Sequence, residues 1–257
     1  MVEYSETEQQ IIRSIFSDFK DAGVDFVIPR NYQQLPERVD GGDIDIVIRP
    51  DDLGAAVEIS ERYGFERRST AVSRIKGLAR RVLEYPQETI RLIRSDPTIV
   101  YSSIKDALLP DRDDFDELAA EYSEKKREQG NVIFHFMNHL AYKSPKNGRK
   151  VRVNPLVEDL LYKRSEYVEG VPIPAPPDEL AHLVCRGVFK YEGKFPDYYI
   201  NQCDKLKQDV LSNPESHQAF TQLLSLLFFE ADDTVLSHIE DSRYNQIKPA
   251  LISFSGY

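Results

Sequence analysis

Gly41-Gly42-Asp43-Ile44-Asp45-Ile46-Val47-Ile48 decides how the rest of the chain is read. The branched aliphatics at 44, 46, 47 and 48 favour a β-strand. A strand period of two groups Asp43, Asp45 and Val47 on one face, and Ile44, Ile46 and Ile48 on the other. Two carboxylates side by side among aliphatics repel each other and lose hydration. A divalent cation relieves both costs, and Mg2+ suits the pattern because it takes one or two protein carboxylates and completes its shell with water and phosphate oxygens. The first expectation is a metal-dependent phosphoryl- or nucleotidyl-transfer site at Asp43 and Asp45. The competing reading is an edge strand whose aspartates face water, as charged residues often do at sheet edges.

Working outward, Asp25-Phe26-Val27-Ile28 reads as a short strand and Pro29-Arg30-Asn31-Tyr32 as its exit. Gln33 to Asp40 is a polar connector, with Leu35-Pro36 opening a turn or short helix, and Gly41-Gly42 permits a tight backbone before the carboxylates. Upstream, Glu6 to Ala22 carries Ile11, Ile12, Ile15, Phe16 and Phe19 at helical spacing, closed by Gly23. Downstream, Asp51-Asp52 opens a second helix with Leu53, Ala56, Val57 and Tyr63, ended by Gly64. Helix, strand, connector, strand, helix is an α/β unit.

The run FVIPRNYQQLPERVDGGDIDIVIRPDDLGAAVEISERYGFE, residues 26–66, resembles nucleotidyltransferases of the DNA polymerase beta type. More narrowly it is similar to a group of nucleotidyltransferase-like proteins carrying a GGDIDIVI-like motif, some of them found with surface-polysaccharide genes. The resemblance is clear over 24–66 and fainter over 131–200. It implies an α/β (α+β) fold: a small mixed sheet with flanking helices, followed by a helical C-terminal domain. It also implies nucleotidyl transfer from a nucleoside triphosphate to a hydroxyl or amine acceptor. Asp43 and Asp45 would hold Mg2+ (or Mn2+); the candidates at the nucleotide are Arg30, from its own chemistry, and Gly41 and Gly42, whose first reading is backbone conformation. Replacing either aspartate by asparagine is then expected to abolish turnover with little loss of folding.

Two departures from the family pattern stand out. The usual Gly-Ser or Gly-Gly pair at the start of the connecting segment is replaced by Arg30-Asn31-Tyr32. The planar fork of Arg30 suits phosphate oxygens, although an arginine at a strand end is more often a surface residue. The third carboxylate that the family carries on a later strand is also missing from Asn131-Val132-Ile133-Phe134-His135-Phe136-Met137, the best later strand. His135 can stand in its place as a base or substitute ligand, or it is an ordinary hydrogen-bonded histidine. Glu84 and Glu88 are other candidates for the acid. This gap leaves open an inactive relative that binds nucleotide or a partner without transfer.

Residues 69–130 give a basic segment, a possible strand near Ile90-Arg91-Leu92-Ile93 and a charged helix over 113–128. Pro145-Lys146-Asn147-Gly148 and Lys150-Val151-Arg152-Val153 suggest a hairpin, and Leu156 to Tyr167 a helix. The proline-rich stretch 171–177 reads as a semi-rigid linker. It divides a nucleotidyltransferase-like α/β domain, 1–170, from a helical domain, 178–257. Asp178 would cap the first C-terminal helix, with more over 195–212, 214–230 and 231–240. Arg186, Lys190, Tyr191, Lys194, Tyr198 and Tyr199 cluster there. In two-domain relatives such a helical part forms the far wall of the cleft, so Arg186 or Lys190 would face the triphosphate or acceptor. The alternative is that they snorkel from a helix surface.

The 257 residues leave room for one large or two small domains. With 41% hydrophobic and 30% charged residues the chain reads as a folded protein. No apolar run approaches the roughly 20 residues of a membrane span. The acidic N-terminus does not resemble a secretory signal, and Cys185 and Cys203 offer no disulfide framework. A cytoplasmic protein is expected, away from membranes and with an oligomeric state the sequence leaves open. The net charge of −10 argues against general nucleic-acid binding. Local basic runs, Arg67, Arg68, Arg74, Lys76, Arg80 and Arg81 or Lys143, Lys146, Arg149, Lys150 and Arg152, either receive an anionic ligand or balance neighbouring acids.

Overall fold

The computed structural model describes residues 2–39, 43–65, 132–144 and 150–254. Gly41, Gly42, Glu84, Glu88, the basic run 67–81, the strand expected near 90–93, the charged helix over 113–128 and the turn at 145–148 lie outside the described residues.

The chain is a mixed α+β protein with small sheets and many helices. Strand β1 (Val2–Glu3) pairs antiparallel with β3 (Arg38–Val39). Helix α1 (Glu6–Asp21) starts at a capping box: the Ser5 side chain accepts from the Glu8 N–H, and the Glu8 carboxylate accepts from the Ser5 N–H at 2.7 Å. The main sheet has the order β2-β4-β5. Strand β2 (Phe26–Val27) runs antiparallel to β4 (Ile44–Ile48), and β5 (Phe134–Met137) runs parallel to it. A parallel neighbour requires a long crossover; it passes through α2 (Leu53–Arg62) and residues 66–131.

β4 is therefore the central strand, and all five of its residues are buried. This excludes the edge-strand reading of Asp45. The two faces of β4 serve different cores. Ile44, Ile46 and Ile48 join Phe26, Phe134 and Phe136 against Ile12, Ile15, Phe16 and Phe19 of α1 and Leu53, Ala56 and Val57 of α2. Val47 and Val27 face the other way, into a core made with the C-terminal helices. Burying an aliphatic side chain contributes roughly 1.5–3 kcal/mol, so a strand covered on both sides is held firmly.

Strands β6 (Ala141–Lys143) and β7 (Lys150–Arg152) form the expected hairpin, leading into α3 (Pro155–Arg164). α3 ends earlier than the expected Tyr167 because Glu166–Val168 is strand β8, paired antiparallel with β9 (Val171–Ile173). Glu169 and Gly170, both at positive φ (51° and 85°), make the tight connection. The proline-rich linker expected at 171–177 is thus corrected. β9 is paired, and the Pro172 carbonyl accepts from Ile28 N–H at 2.9 Å. Pro176 and Pro177 occupy the first turn of α4 (Pro176–Cys185), where a missing N–H costs nothing.

α4 continues into a π-helical turn, Arg186–Lys190. Then follow α5 (Asp197–Ser212), α6 (Pro214–Phe228), α7 (Asp232–Glu240) and α8 (Ile247–Ile252). Buried residues of α4 to α8, among them Leu183, Val184, Tyr199, Phe220, Val235 and Leu251, share one core with Val27 and Val47. This shared core seats α4 and the π turn over the sheet face that carries Asp45. No helix among the described residues is long and apolar enough to cross a membrane.

Candidate functional site

Parallel pairing of β4 with β5 sets Asp45 directly opposite His135. Neighbouring strands lie about 4.8 Å apart, and His135 Nδ1 reaches Asp45 Oδ1 at 2.8 Å. Asp43, just before the strand, brings Oδ2 to 3.9 Å from the same nitrogen. Ligand atoms of Asp43, Asp45 and His135 all lie within 4.8 Å of one another, a geometry that can hold a metal ion. Asp45 is buried, while Asp43 and His135 are partly open to solvent. Two carboxylate oxygens and an imidazole nitrogen suit Mn2+ better than Mg2+, because imidazole is the softer ligand.

Arg30 is not a surface residue. It leaves the end of β2, is only 9% exposed, and pairs through Nη2 with Asp45 Oδ2. Arg186, also 9% exposed, brings Nη1 to 3.9 Å from the same oxygen. It arrives from the π turn, closed by a hydrogen bond from Tyr191 N–H to the Arg186 carbonyl at 3.1 Å. Such turns are frequent at functional sites. Two neighbours fix Arg186: its Nε donates to the Tyr199 hydroxyl at 2.9 Å, and Gly187 leaves room for the ring of Phe195.

Burial by itself would raise the pKa of Asp45. The hydrogen bond from His135 and the charges of Arg30, His135 and Arg186 outweigh it and hold the carboxyl well below the usual carboxylate range. Asp45 is therefore ionised at neutral pH. Lys190 is exposed at the end of the π turn. Partial desolvation, then the charges of Arg186 and Arg30, push its ammonium below the ordinary lysine value. His182, on the same helical face, lies 2.7 Å from the Tyr142 hydroxyl. Burial, with Arg186 and Arg30 close by, keeps its imidazole neutral.

A second buried acid joins the sheet to the helices. Glu179 of α4 accepts from the Tyr32 hydroxyl at 2.5 Å, Gln33 Nε2 at 3.2 Å and Gln202 Nε2 at 2.6 Å. Burial raises its pKa despite these bonds. The network pins the segment after Arg30 to α4 and α5.

Of the residues expected at the site, the structure brings Asp43, Asp45, His135 and Arg30 together; Gly41 and Gly42 lie outside the described residues. Arg186 joins them instead of snorkelling outward. Glu179 and His182 were not singled out from sequence, although His182, Arg186 and Lys190 recur every four residues on one helical face. In the second basic run Arg152 pairs with Glu158 at 2.6 Å, so that charge is balanced internally.

No family model, curated protein or solved structure matches this chain.

Proposed function

We propose that this protein is a metal-dependent nucleotidyltransferase of the DNA polymerase beta type, moving a nucleoside monophosphate from a triphosphate to a hydroxyl or amine acceptor. One observation carries the reading: Asp43, Asp45 and His135 converge within 4.8 Å on the side where two buried arginines meet Asp45. Acids that gather a cation and arginines that grip phosphate oxygens are the two halves of such a site. The helix–strand–connector–strand–helix order and the helical segments packed over the Asp45 face are consistent with the same class.

A divalent cation bound there would neutralise triphosphate charge and stabilise departing pyrophosphate. Asp43 and Asp45 supply oxygen ligands. His135 Nδ1, turned toward both acids, suits a ligand role when the ring proton sits on Nε2, in place of the third carboxylate that β5 lacks. Arg30, Arg186 and Lys190 orient the phosphates so that the acceptor oxygen or nitrogen meets the α-phosphorus in line. The bond from acceptor to phosphorus forms, the bond to the β-phosphate oxygen breaks, and the acceptor proton passes to solvent.

A screen of the four ribonucleoside triphosphates with Mg2+ or Mn2+, reading thermal shift and pyrophosphate release together, tests this. Stabilisation with metal-dependent release is the expected result. Stabilisation without release favours the second reading, a nucleotide- or partner-binding relative. That reading is favoured by the engagement of Asp45 with Arg30 and His135.

A further inference from the structure

The carboxylate that the metal would need is already held by the residues that would grip the phosphates. Asp45 Oδ1 faces His135 Nδ1, and Oδ2 faces Arg30 and Arg186. Each arginine is about nine-tenths buried and keeps a buried N–H without a partner among the described residues, Nε in Arg30 and Nη2 in Arg186. A buried donor left unbonded carries a desolvation cost that an added acceptor recovers. Lys190 adds a third cation beside them. Arg30, Arg186 and Lys190 thus set three cations against Asp43 and Asp45 before any charge on His135, and a divalent ion arriving alone would enlarge that positive excess. An oxyanion reverses it, and phosphate oxygens match the guanidinium fork.

We propose that Arg30 and Arg186 form a latch on Asp45 that a phosphate-bearing ligand releases. The ligand draws both guanidinium groups onto its own oxygens, using the two unpartnered N–H groups, and frees Asp45 Oδ2 for the cation. Anion and metal then bind cooperatively, each raising the affinity of the other by the same factor. This deepens the nucleotidyl-transfer reading and rests on it: the triphosphate itself completes the metal site.

Titration with Mn2+, read by the loss of its free paramagnetic signal, tests the latch with inorganic phosphate as the probe. The wild-type protein is expected to bind Mn2+ about tenfold or more tightly when phosphate is saturating. Arg30→Gln is expected to bind Mn2+ more tightly than wild type without phosphate and to lose the phosphate effect. Circular dichroism establishes that the variant is folded, and the wild-type titrations decide the matter without it. Equal Mn2+ affinity with and without phosphate overturns the latch and leaves nucleotidyl transfer standing on pyrophosphate release. Absence of Mn2+ binding in both conditions overturns the latch and the metal site together.

Discussion

Asp45 and His135 face each other across parallel strands, His135 Nδ1 2.8 Å from Asp45 Oδ1, and this pairing turns a short acidic motif into a three-residue cluster. Asp43 lies at its rim and Asp45 at its buried centre. The two aspartates therefore differ in burial, and the expectation of little loss of folding is kept for Asp43 alone.

Asp45→Asn leaves Arg30 and Arg186 without their counter-charge. Breaking one side of a buried ion pair costs about 3–5 kcal/mol, so this variant is expected to lose that much in urea unfolding. Asp43→Asn, whose side chain is 38% exposed, is expected to stay within about 0.5 kcal/mol of wild type. Equal losses in the two variants would contradict the burial difference.

The lowered pKa of Asp45 makes its contribution pH-dependent. Its folded value lies below the unfolded one, so the stabilisation is fully present above about pH 5 and declines as pH falls toward the folded value. The gap in stability between wild type and Asp45→Asn is expected to narrow as urea midpoints are measured from about pH 7 to about pH 3. A gap that stays constant over that range would count against the ion pair.

Glu179 holds the segment after Arg30 through Tyr32 and Gln33, and α5 through Gln202. Glu179→Ala removes the acceptor that the partly buried Tyr32 hydroxyl and the Gln33 and Gln202 amides share, and is expected to destabilise by about 1 kcal/mol or more. Glu179→Gln, which keeps an acceptor and carries no buried charge, is expected to lose less. Thermal unfolding of the two variants gives the ranking.

Gly187→Ala would put a methyl group 2.1 Å from Phe195 Cε1, beside Arg186. Overpacking of this kind costs about 1–3 kcal/mol. The expected result is a lower melting temperature together with weaker phosphate binding, since the π turn carries Arg186. Unchanged stability would mean that Phe195 moves freely.

Much of this was legible in the sequence, for local reasons. The spacing of Ile12, Ile15, Phe16 and Phe19 gives the buried face of α1, and Gly23 its end. The branched aliphatics at 44, 46, 47 and 48 mark β4 as a strand, but its cover on both faces is not read from them, because Asp45 interrupts the apolar run. The pairing of β4 with β5 juxtaposes Asp45 with His135, but register between distant segments is set by the packed sheet and is not written in either strand. The hairpin β8–β9 was hidden because helical spacing before it and prolines after it outweighed the Glu169-Gly170 turn signal. The roles of Arg30 and Arg186 were the least legible. An arginine reads as exposed until tertiary structure supplies the carboxylate that justifies its burial.

The most direct test compares pyrophosphate release by wild type and by Asp43→Asn, with the best nucleoside triphosphate and Mn2+. Metal-dependent release by wild type that falls about a hundredfold or more in Asp43→Asn, at unchanged melting temperature, is the predicted result. Release at equal rates in the two proteins would contradict the assignment of this cluster as the site of transfer.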